Sequence, residues 1–335
     1  MKPTYKIAAN DTDITDLISR NFISLSLSDS TGLESDSLTI TISDDDTVAW
    51  PAKGAALKCW IGYDETLYYK GRFVVSDLDH AGPPDMITIH ALASDMLGSI
   101  KEIKTKQWSD TSIADIIRYF ASIHGLRAAV SNRFDNISIA QLYQVNESDL
   151  HFITRLAQMV GATTSIKSGY IVFISQGSAA NASGVSLPTA FIDRTDTSSH
   201  SYQERGRNEY SRTSAAYITI EPTLIDGVST NIRRYNLVYA GELTGTSYHV
   251  EGYSSSEEMA KQVAEGALLG LDRASSTLSL DLQQGKPELV SEMPVVPTGF
   301  RKRIAELQWV SDNVTHTINS SGLTSSLTAS VSTDL

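Results

Sequence analysis

The chain has 335 residues, enough for two or three domains, and its hydrophobic content of 41% is sufficient for hydrophobic cores. Its formal net charge of −12 argues against a general nucleic-acid-binding surface, because neutralising phosphates requires Lys and Arg. The single cysteine, Cys59, excludes an internal disulfide.

No apolar stretch approaches the roughly 20 residues that span a bilayer. The N-terminal segment lacks the apolar centre of a signal peptide. We therefore expect no membrane anchor, and synthesis in a cytoplasm without export by the Sec route.

The first hundred residues contain a series of short strand-like runs. In one of them, Leu38, Ile40 and Ile42 alternate with threonines, and turn-forming residues separate the runs. Because successive residues of a strand face opposite sides, this patterning indicates an antiparallel sandwich or barrel with one buried face. We assign residues 1–98 to a first β-barrel domain.

The next region, residues 99–175, has a mixed pattern. Apolar residues at helical spacing predict one helix over 111–123, capped by Ser112, and a second over 148–159. A buried strand is predicted at 170–174. This region is therefore predicted to be a smaller, helix-containing domain.

The last part of the chain returns to strand patterns. Residues 176–190 are small and polar, and we interpret them as a flexible linker. Residues 191–335 read as a second β-barrel domain with one inserted helix at about 255–273, where Met259 and Val263 recur at i, i+4 spacing. The expected fold is thus α+β and mainly β, with two tube-like antiparallel β-barrel domains flanking a smaller helix-containing α/β domain.

A short internal repeat is consistent with two barrels. The run Phe73–His80 aligns with Trp309–His316: an aromatic residue begins each, Leu78 matches Val314, and a turn and another strand follow. Repeats reveal duplicated architecture, although a match this short is also compatible with chance. If it is genuine, the first and third regions are duplicated β domains.

The sequence lacks the common catalytic and metal-binding motifs. It has no Gly-rich phosphate loop, nucleophile elbow or Cys-x-x-Cys pair, and its seven histidines do not show metal-ligand spacing. We therefore expect a protein that is not an enzyme and that has no cofactor and no metal.

Two clusters of cationic and aromatic residues are candidate contact surfaces. Lys101, Lys104 and Lys106 precede Trp108, and we favour a solvated connector over a nucleic-acid site for them. The second cluster interleaves Arg with Tyr, residue types that are enriched at protein interfaces. We predict a subunit contact formed by Tyr202, Arg205, Arg207, Tyr210 and Arg212.

Residues 144–162, QVNESDLHFITRLAQMVGA, carry the most specific pattern. Physically they predict a capped amphipathic helix docked on a core, because Asn146 or Ser148 can cap its start and Gly161 can take the left-handed position after its end. The residue order also closely resembles the helix of VgrG spike proteins and phage late control D proteins, hubs at the tip of contractile tails. The residues in register with that pattern are Gln144, Glu147, Ser148, Asp149, Phe152, Arg155, Leu156 and Gly161.

The resemblance to late control protein D extends over roughly residues 1–175, where short motifs occur in the expected order. It continues more loosely through residues 256–282 and the strand that begins at Trp309. Unlike VgrG, the sequence reaches Leu335 without a long β-helical spike. The resemblance therefore implies that any spike is a separate protein.

The resemblance also implies a function. Hubs of this family are similar to trimers whose subunits each carry two tube-like barrels, so that three chains present six barrels and join a six-fold tube to a three-fold spike. It implies a structural homotrimer in a virion tail baseplate, assembled in the bacterial host cytoplasm. The implied partners are the tail tube protein, a separate central spike protein and other baseplate proteins.

Specific nucleic-acid binding is not expected, although DNA passing through the lumen is compatible with an acidic wall.

Three alternative functions remain open: a type VI-like secretion spike hub, a tail-tip peptidoglycan hydrolase, and a carbohydrate-binding module.

Overall fold

The computed structural model describes residues 2–32, 36–45, 49–93, 98–167, 169–179, 185–205, 210–225, 228–242, 244–273 and 275–332. Strands account for 56% of the chain and helices for 19%. The sheets are predominantly antiparallel, which confirms the predicted α+β, mainly β class.

The first β unit (residues 2–93) contains seven strands and a short helix. The alternation seen in the sequence sets its core: Leu38, Ile40 and Ile42 are buried, while the threonines between them are more exposed. Phe73 fills the centre of the same core. Its elements are β1 (Pro3–Ala9), β2 (Thr12–Asp13), α1 (Thr15–Ser19), β3 (Phe22–Ser30), β4 (Ser37–Ser43), β5 (Ala56–Tyr63), β6 (Thr66–Ala81) and β7 (Met86–Leu92).

The helical unit begins with residues 98–175. Both predicted helices are present, and each is capped by the serine that precedes it: Ser112 Oγ accepts from Asp115 N, and Ser148 Oγ accepts from His151 N. The elements are β8 (Ile103–Ser112), α2 (Ile113–Ile123), β9 (Arg127–Val130), β10 (Ser138–Ser148), α3 (Asp149–Met159), β11 (Ala162–Lys167) and β12 (Tyr170–Ser175).

The remaining residues form a second β unit and an addition to the helical unit. The second β unit (residues 185–205 and 275–332) has its own core around Trp309, whose indole N–H donates to Ile304 O at 2.8 Å. The elements after residue 175 are β13 (Ala190–Asp193), β14 (Thr197–Glu204), β15 (Arg212–Ile225), β16 (Val228–Gly241), β17 (Ser247–Ser254), α4 (Glu257–Arg273), β18 (Ser276–Leu282), β19 (Pro294–Thr298), α5 (Lys302–Ala305), β20 (Trp309–Asn319) and β21 (Gly322–Val331).

Residues 212–273, which the sequence pattern placed in the second β-barrel domain, share their hydrophobic core with the helical unit. The three-stranded sheet β16-β15-β17 and helix α4 share a core with α2 and α3, and Ala215, Met259 and Val263 are buried there. The inserted helix lies at Glu257–Arg273, close to its predicted position. The apolar stripe of this helix predicts that one of its sides is buried, but it does not predict on which surface. In the structure that side packs on the apolar side of α3 and of the neighbouring sheet.

The two β units are joined through one continuous sheet. Strand β3 of the first unit pairs antiparallel with β20 of the second, from Leu25 opposite Ile318 to Ser30 opposite Asn313. The strand order is β14-β18-β21-β20-β3-β4-β7-β6-β5-β1-β2, with β13 and β19 attached beside β20. Two distant parts of the sequence therefore form a single structural layer.

The aligned runs of the internal repeat occupy comparable strands but differ at their histidines. Phe73 and Trp309 are both buried, each in a strand that continues into a hairpin. His316 is buried between Ser325 Oγ (2.7 Å) and Leu289 O (3.1 Å), and burial lowers its pKa to about 3. His80 is partly exposed and lies 3.4 Å from a carboxylate oxygen of Asp44. The two histidines are therefore not equivalent.

The predicted linker, residues 176–190, is described only at its two ends. Ala179 is buried, and its carbonyl accepts from Leu187 N at 2.7 Å, so these ends are packed against the fold. Residues 180–184 of this predicted segment lie outside the described residues.

Candidate functional site

The residues of the 144–162 motif build a buried polar network at the start of α3. The Asp149 carboxylate accepts from Gln144 Nε2 at 2.8 Å, from Lys104 Nζ at 2.8 Å and from His124 Nε2 at 2.9 Å. Burial opposes its ionisation, but these three donors hold the pKa of Asp149 below its usual value. The network fastens α3 to β8, β10 and the end of α2.

The other motif residues extend this anchorage. Arg155 Nε donates to Glu147 Oε2 at 3.2 Å, which ties the middle of α3 to the preceding strand. Phe152 is fully buried and stacks on Trp108, with ring centroids 6.1 Å apart. The buried residues of the motif therefore work inside the protein, where they position helix α3.

Gly161, the last residue of the motif, permits a close approach to α4. Its φ is +66°, and a Cβ at this position would lie 2.7 Å from Gly266 Cα. A Cβ on Gly266 would lie 2.3 Å from Gly161 N. Only two facing glycines allow this backbone contact, which holds residues 257–273 on the helical unit.

A charged junction connects all three units. Lys167 of the helical unit places its Nζ 2.7 Å from Asp29 Oδ1 and 3.2 Å from Asp36 Oδ1 in the first β unit, and 3.3 Å from Ser291 Oγ in the second. Burial disfavours ionisation of Asp29, but Lys167 holds the pKa of Asp29 below its usual value. Burial, reinforced by Asp29, raises the pKa of Asp36 to about 6. A cavity of about 620 Å³ adjoins this junction.

A second buried acid lies next to the junction. Burial raises the pKa of Glu292 to about 7, although Arg273 lies close enough to oppose that effect. Arg273 itself pairs with Asp312 on β20. The arrangement of the three units thus depends on buried charges contributed by each of them.

The predicted subunit contact is divided by the fold. Tyr202 lies on β14 with its ring edge-on to Trp309, and Arg205 follows that strand with an exposed side chain. Arg207 lies outside the described residues. Tyr210 packs against Tyr248 near the start of β15, and the Arg212 guanidinium lies 4.8 Å from the Tyr239 ring centroid. Of the four described residues, Tyr202 and Arg205 therefore lie at the β14 edge of the large sheet, and Tyr210 and Arg212 lie at the start of the β16-β15-β17 sheet.

An exposed apolar surface lies beside Arg212 on the outward side of the β16-β15-β17 sheet. We call it the tyrosine face. The inward side of the same sheet packs on α4 through Ala215, Val238 and Ala240. The residues of the tyrosine face are 50–64% exposed: Ile220, Tyr235, Leu237, Tyr239 and Tyr253.

The sequence does not distinguish the tyrosine face, because residues 237–240 of β16 are apolar on both sides. Tyr235, Leu237 and Tyr239 point outward, while Val238 and Ala240 between and beyond them point inward. The usual signal of a half-buried strand, polar residues on one side, is therefore missing. Within residues 237–240, the larger size of the outward residues distinguishes the two sides.

The lysine cluster that precedes Trp108 is largely engaged within the chain. Lys104 pairs with Asp149, and Lys106 Nζ lies 3.9 Å from the Trp108 ring centroid and 3.4 Å from that of Tyr119.

In the described part of the chain, no group of three His, Cys, Asp or Glu side chains is arranged to hold a metal ion. No helix among those residues is long and apolar enough to cross a membrane.

Comparison with known proteins gives consistent matches. The family model for the phage tail baseplate hub (GPD) matches residues 86–322. The chain is 30% identical to the probable baseplate hub protein of Escherichia phage 186, over 98% of this chain and 92% of that protein.

Two solved structures are similar in fold. The 43 kDa tail protein of prophage MuSo2 from Shewanella oneidensis has a TM-score of 0.68 at 11% identity, with 99% of each chain covered. The E. coli c3393 protein, described as a component of the type VI secretion system, has a TM-score of 0.57 at 11% identity, covering 100% of this chain and 78% of that one.

Proposed function

Since this chain belongs to the phage tail baseplate hub family, we propose that it forms a homotrimeric ring that joins the six-fold tail tube to a three-fold central spike. In this role it is a structural protein of the virion tail, assembled in the host cytoplasm. Its partners are the tube protein, a separate spike protein and other baseplate proteins.

The observation that carries this proposal is the pairing of β3 with β20. Each chain contains two β units, each with its own core, fused side by side in one sheet. Three such chains in a closed ring present six β units. A ring of this kind matches a six-fold tube on one side and a three-fold spike on the other, because both symmetries are contained in it.

The ends of the continuous sheet support a head-to-tail contact between chains. Among the described residues, β14 pairs only with β18 and β2 only with β1, so both ends of the sheet have an unpaired edge. Unpaired edges are templates for association with another chain. Tyr202 and Arg205, two residues of the predicted subunit contact, lie on β14 and directly after it.

The proposed mechanism is geometric. The buried charges around Lys167 link the three units, and the network around Asp149 stabilises the helical unit internally. A symmetry adapter requires this rigidity. We further propose that the acidic balance of the chain repels DNA phosphates from the lumen wall. A trimer structure with a net-positive lumen would contradict that part.

The secretion-system alternative has one observation in its favour, the fold shared with the E. coli c3393 protein. The sequence relative from phage 186, with 92% of its length covered, favours a phage tail. Neither the family match nor this relative supports the peptidoglycan hydrolase or the carbohydrate-binding module.

Electron microscopy of the purified chain in the presence of a spike protein tests the proposed geometry. Class averages should show a ring with three-fold symmetry and six lobes of similar size. Rings of two-fold symmetry, or three-fold rings with only three lobes in the ring layer, would contradict the proposed arrangement of the β units.

A further inference from the structure

We propose that the tyrosine face is covered by a neighbouring copy of this chain. The inference rests on the proposed trimer and adds a surface that the sheet ends do not include. Tyr235, Tyr239 and Tyr253 are exposed and lie together on one side of a sheet whose other side is already packed. Tyr235 and Tyr253 are 5.4 Å apart between ring centroids, so the aromatic surface is contiguous.

The β15–β16 hairpin extends one end of this surface, at Ile220, beyond the part of the sheet that α4 supports. The core contacts with α4 involve Ala215, Tyr217 and Val238, whereas Ile220 and the paired Arg233 farther along the hairpin are exposed. An exposed apolar surface on a projecting hairpin indicates a binding partner. Contacts within its own chain give an isolated hairpin little stability.

Strand β16 also offers its backbone. It runs for 14 residues, and in the described part of the chain it pairs only with β15. The unpaired edge and the tyrosine face lie on the same strand. A partner that contacts both would gain backbone hydrogen bonds from the edge and apolar burial from the face.

Charge indicates a second copy as that partner. On the side of the tyrosine face, β16 contributes Arg233 and no acidic residue, and β15 contributes Arg212, whereas Arg234 lies on the other side and pairs with Glu221. Residues 1–93 carry 14 Asp and Glu against 7 Lys and Arg, which makes the first β unit strongly acidic. A basic, aromatic surface and an acidic surface on the same chain are complementary when one copy docks on the next.

Ring symmetry allows such a contact. In a cyclic trimer each copy uses two different surfaces, one to contact the preceding copy and one to contact the following copy. The tyrosine face supplies the first surface and the acidic first β unit supplies the second. Tyr and Arg are the residue types that most often carry binding energy at interfaces.

Replacement of Leu237 with glutamate tests the proposal. Leu237→Glu should weaken trimer formation about 30-fold or more, the effect of losing one interface hot spot, while the fold is retained because this side chain is 50% exposed. The matched control is Ile123→Glu on α2, where the side chain is 47% exposed. Trimers of Leu237→Glu as stable as those of Ile123→Glu would overturn the proposal.

Cysteine labelling gives a second test that leaves the assembly intact. The variants Leu237→Cys and Ile123→Cys are reacted with a maleimide in the trimeric fraction. The native thiol gives little background, because Cys59 is fully buried and burial raises its pKa to about 12. Labelling at position 237 should be about ten-fold slower or more than at position 123, since an interface centre excludes water.

These results separate the inference from the proposed function. Equal labelling rates in a trimer would show that the tyrosine face is open, which overturns the inference and leaves the trimeric hub standing. A wild-type chain that stays monomeric with and without a spike protein would contradict the proposed trimer, and the inference with it.

Discussion

At the N-terminus of α3, a single carboxylate binds three donors from three different segments. Asp149 is almost fully buried, so its removal takes this acceptor from Gln144, Lys104 and His124. We predict that Asp149→Ala lowers the free energy of unfolding by about 3 kcal/mol or more. Urea titration followed by circular dichroism measures this change.

The control for this prediction is Asp115→Ala. Asp115 also lies in the first turn of a helix, but its carboxylate is exposed and pairs with Arg118 on the surface. Exposed ion pairs contribute about 1 kcal/mol or less. Equal effects of the two substitutions would show that the buried network does not stabilise the fold.

A comparison of two glycines with the same φ distinguishes the stability cost of backbone strain from that of close packing. Gly161 and Gly125 both have φ of +66°, but a Cβ on Gly125 would meet no atom within 4 Å. Gly125→Ala should therefore cost only the left-handed penalty of about 1–2 kcal/mol. Gly161→Ala should cost that penalty and in addition displace α4, because its Cβ would contact Gly266. Calorimetric melting of both variants measures the difference, and equal losses would contradict the proposed close contact.

The sequence predicts the local features of this region but not their partners. The Ser148 cap, the apolar spacing and Gly161 are read from adjacent residues, because caps and helix ends depend on nearby backbone groups. Lys104 and His124, which complete the network, are far from Asp149 in sequence. Only the folded chain brings them together.

At the scale of elements, the segment before β19 makes the stability of the fold depend on pH through Glu292. Burial raises the pKa of Glu292 from its ordinary value of 4.5 to about 7, so the folded protein binds an extra proton between these pH values. The contribution of Glu292 to stability therefore falls as pH rises through this window. Glutamine resembles the protonated form and cannot lose that proton.

We therefore predict that Glu292→Gln gains stability relative to the wild type between pH 5 and pH 8, by on the order of 3 kcal/mol. Denaturant titrations at both pH values measure this difference. Glu306→Gln, at an exposed side chain after α5, is the control. A stability difference between Glu292→Gln and the wild type that is the same at both pH values would show that Glu292 does not titrate in this range.

The position of α4 shows that the sequence of a helix predicts its apolar side but not the surface on which that side packs. Met259 and Val263 at i, i+4 spacing predict a helix with one apolar side, and the structure has it. The same pattern does not specify the surface that receives that side. Sequence order placed α4 in the second β unit, whereas the glycine contact between residues 161 and 266 places it on the helical unit.

At the scale of the whole molecule, the pairing of β3 with β20 links segments almost 300 residues apart. Alternation in each strand predicts that one side is buried, but it does not identify the neighbouring strand. The mainly β class was therefore predictable, whereas the continuous sheet was not. That sheet is the feature that gives one chain two adjacent β units, and it is the physical basis of the proposed trimer.

The most direct test of the proposed trimer is the mass of the purified chain in solution, measured by light scattering alone and with its spike protein. A trimeric hub should have three times the 36.4 kDa chain mass, or should form from a monomer as a complex of three chains with three spike subunits. A monomer that is unchanged by the spike protein would contradict the proposed trimer.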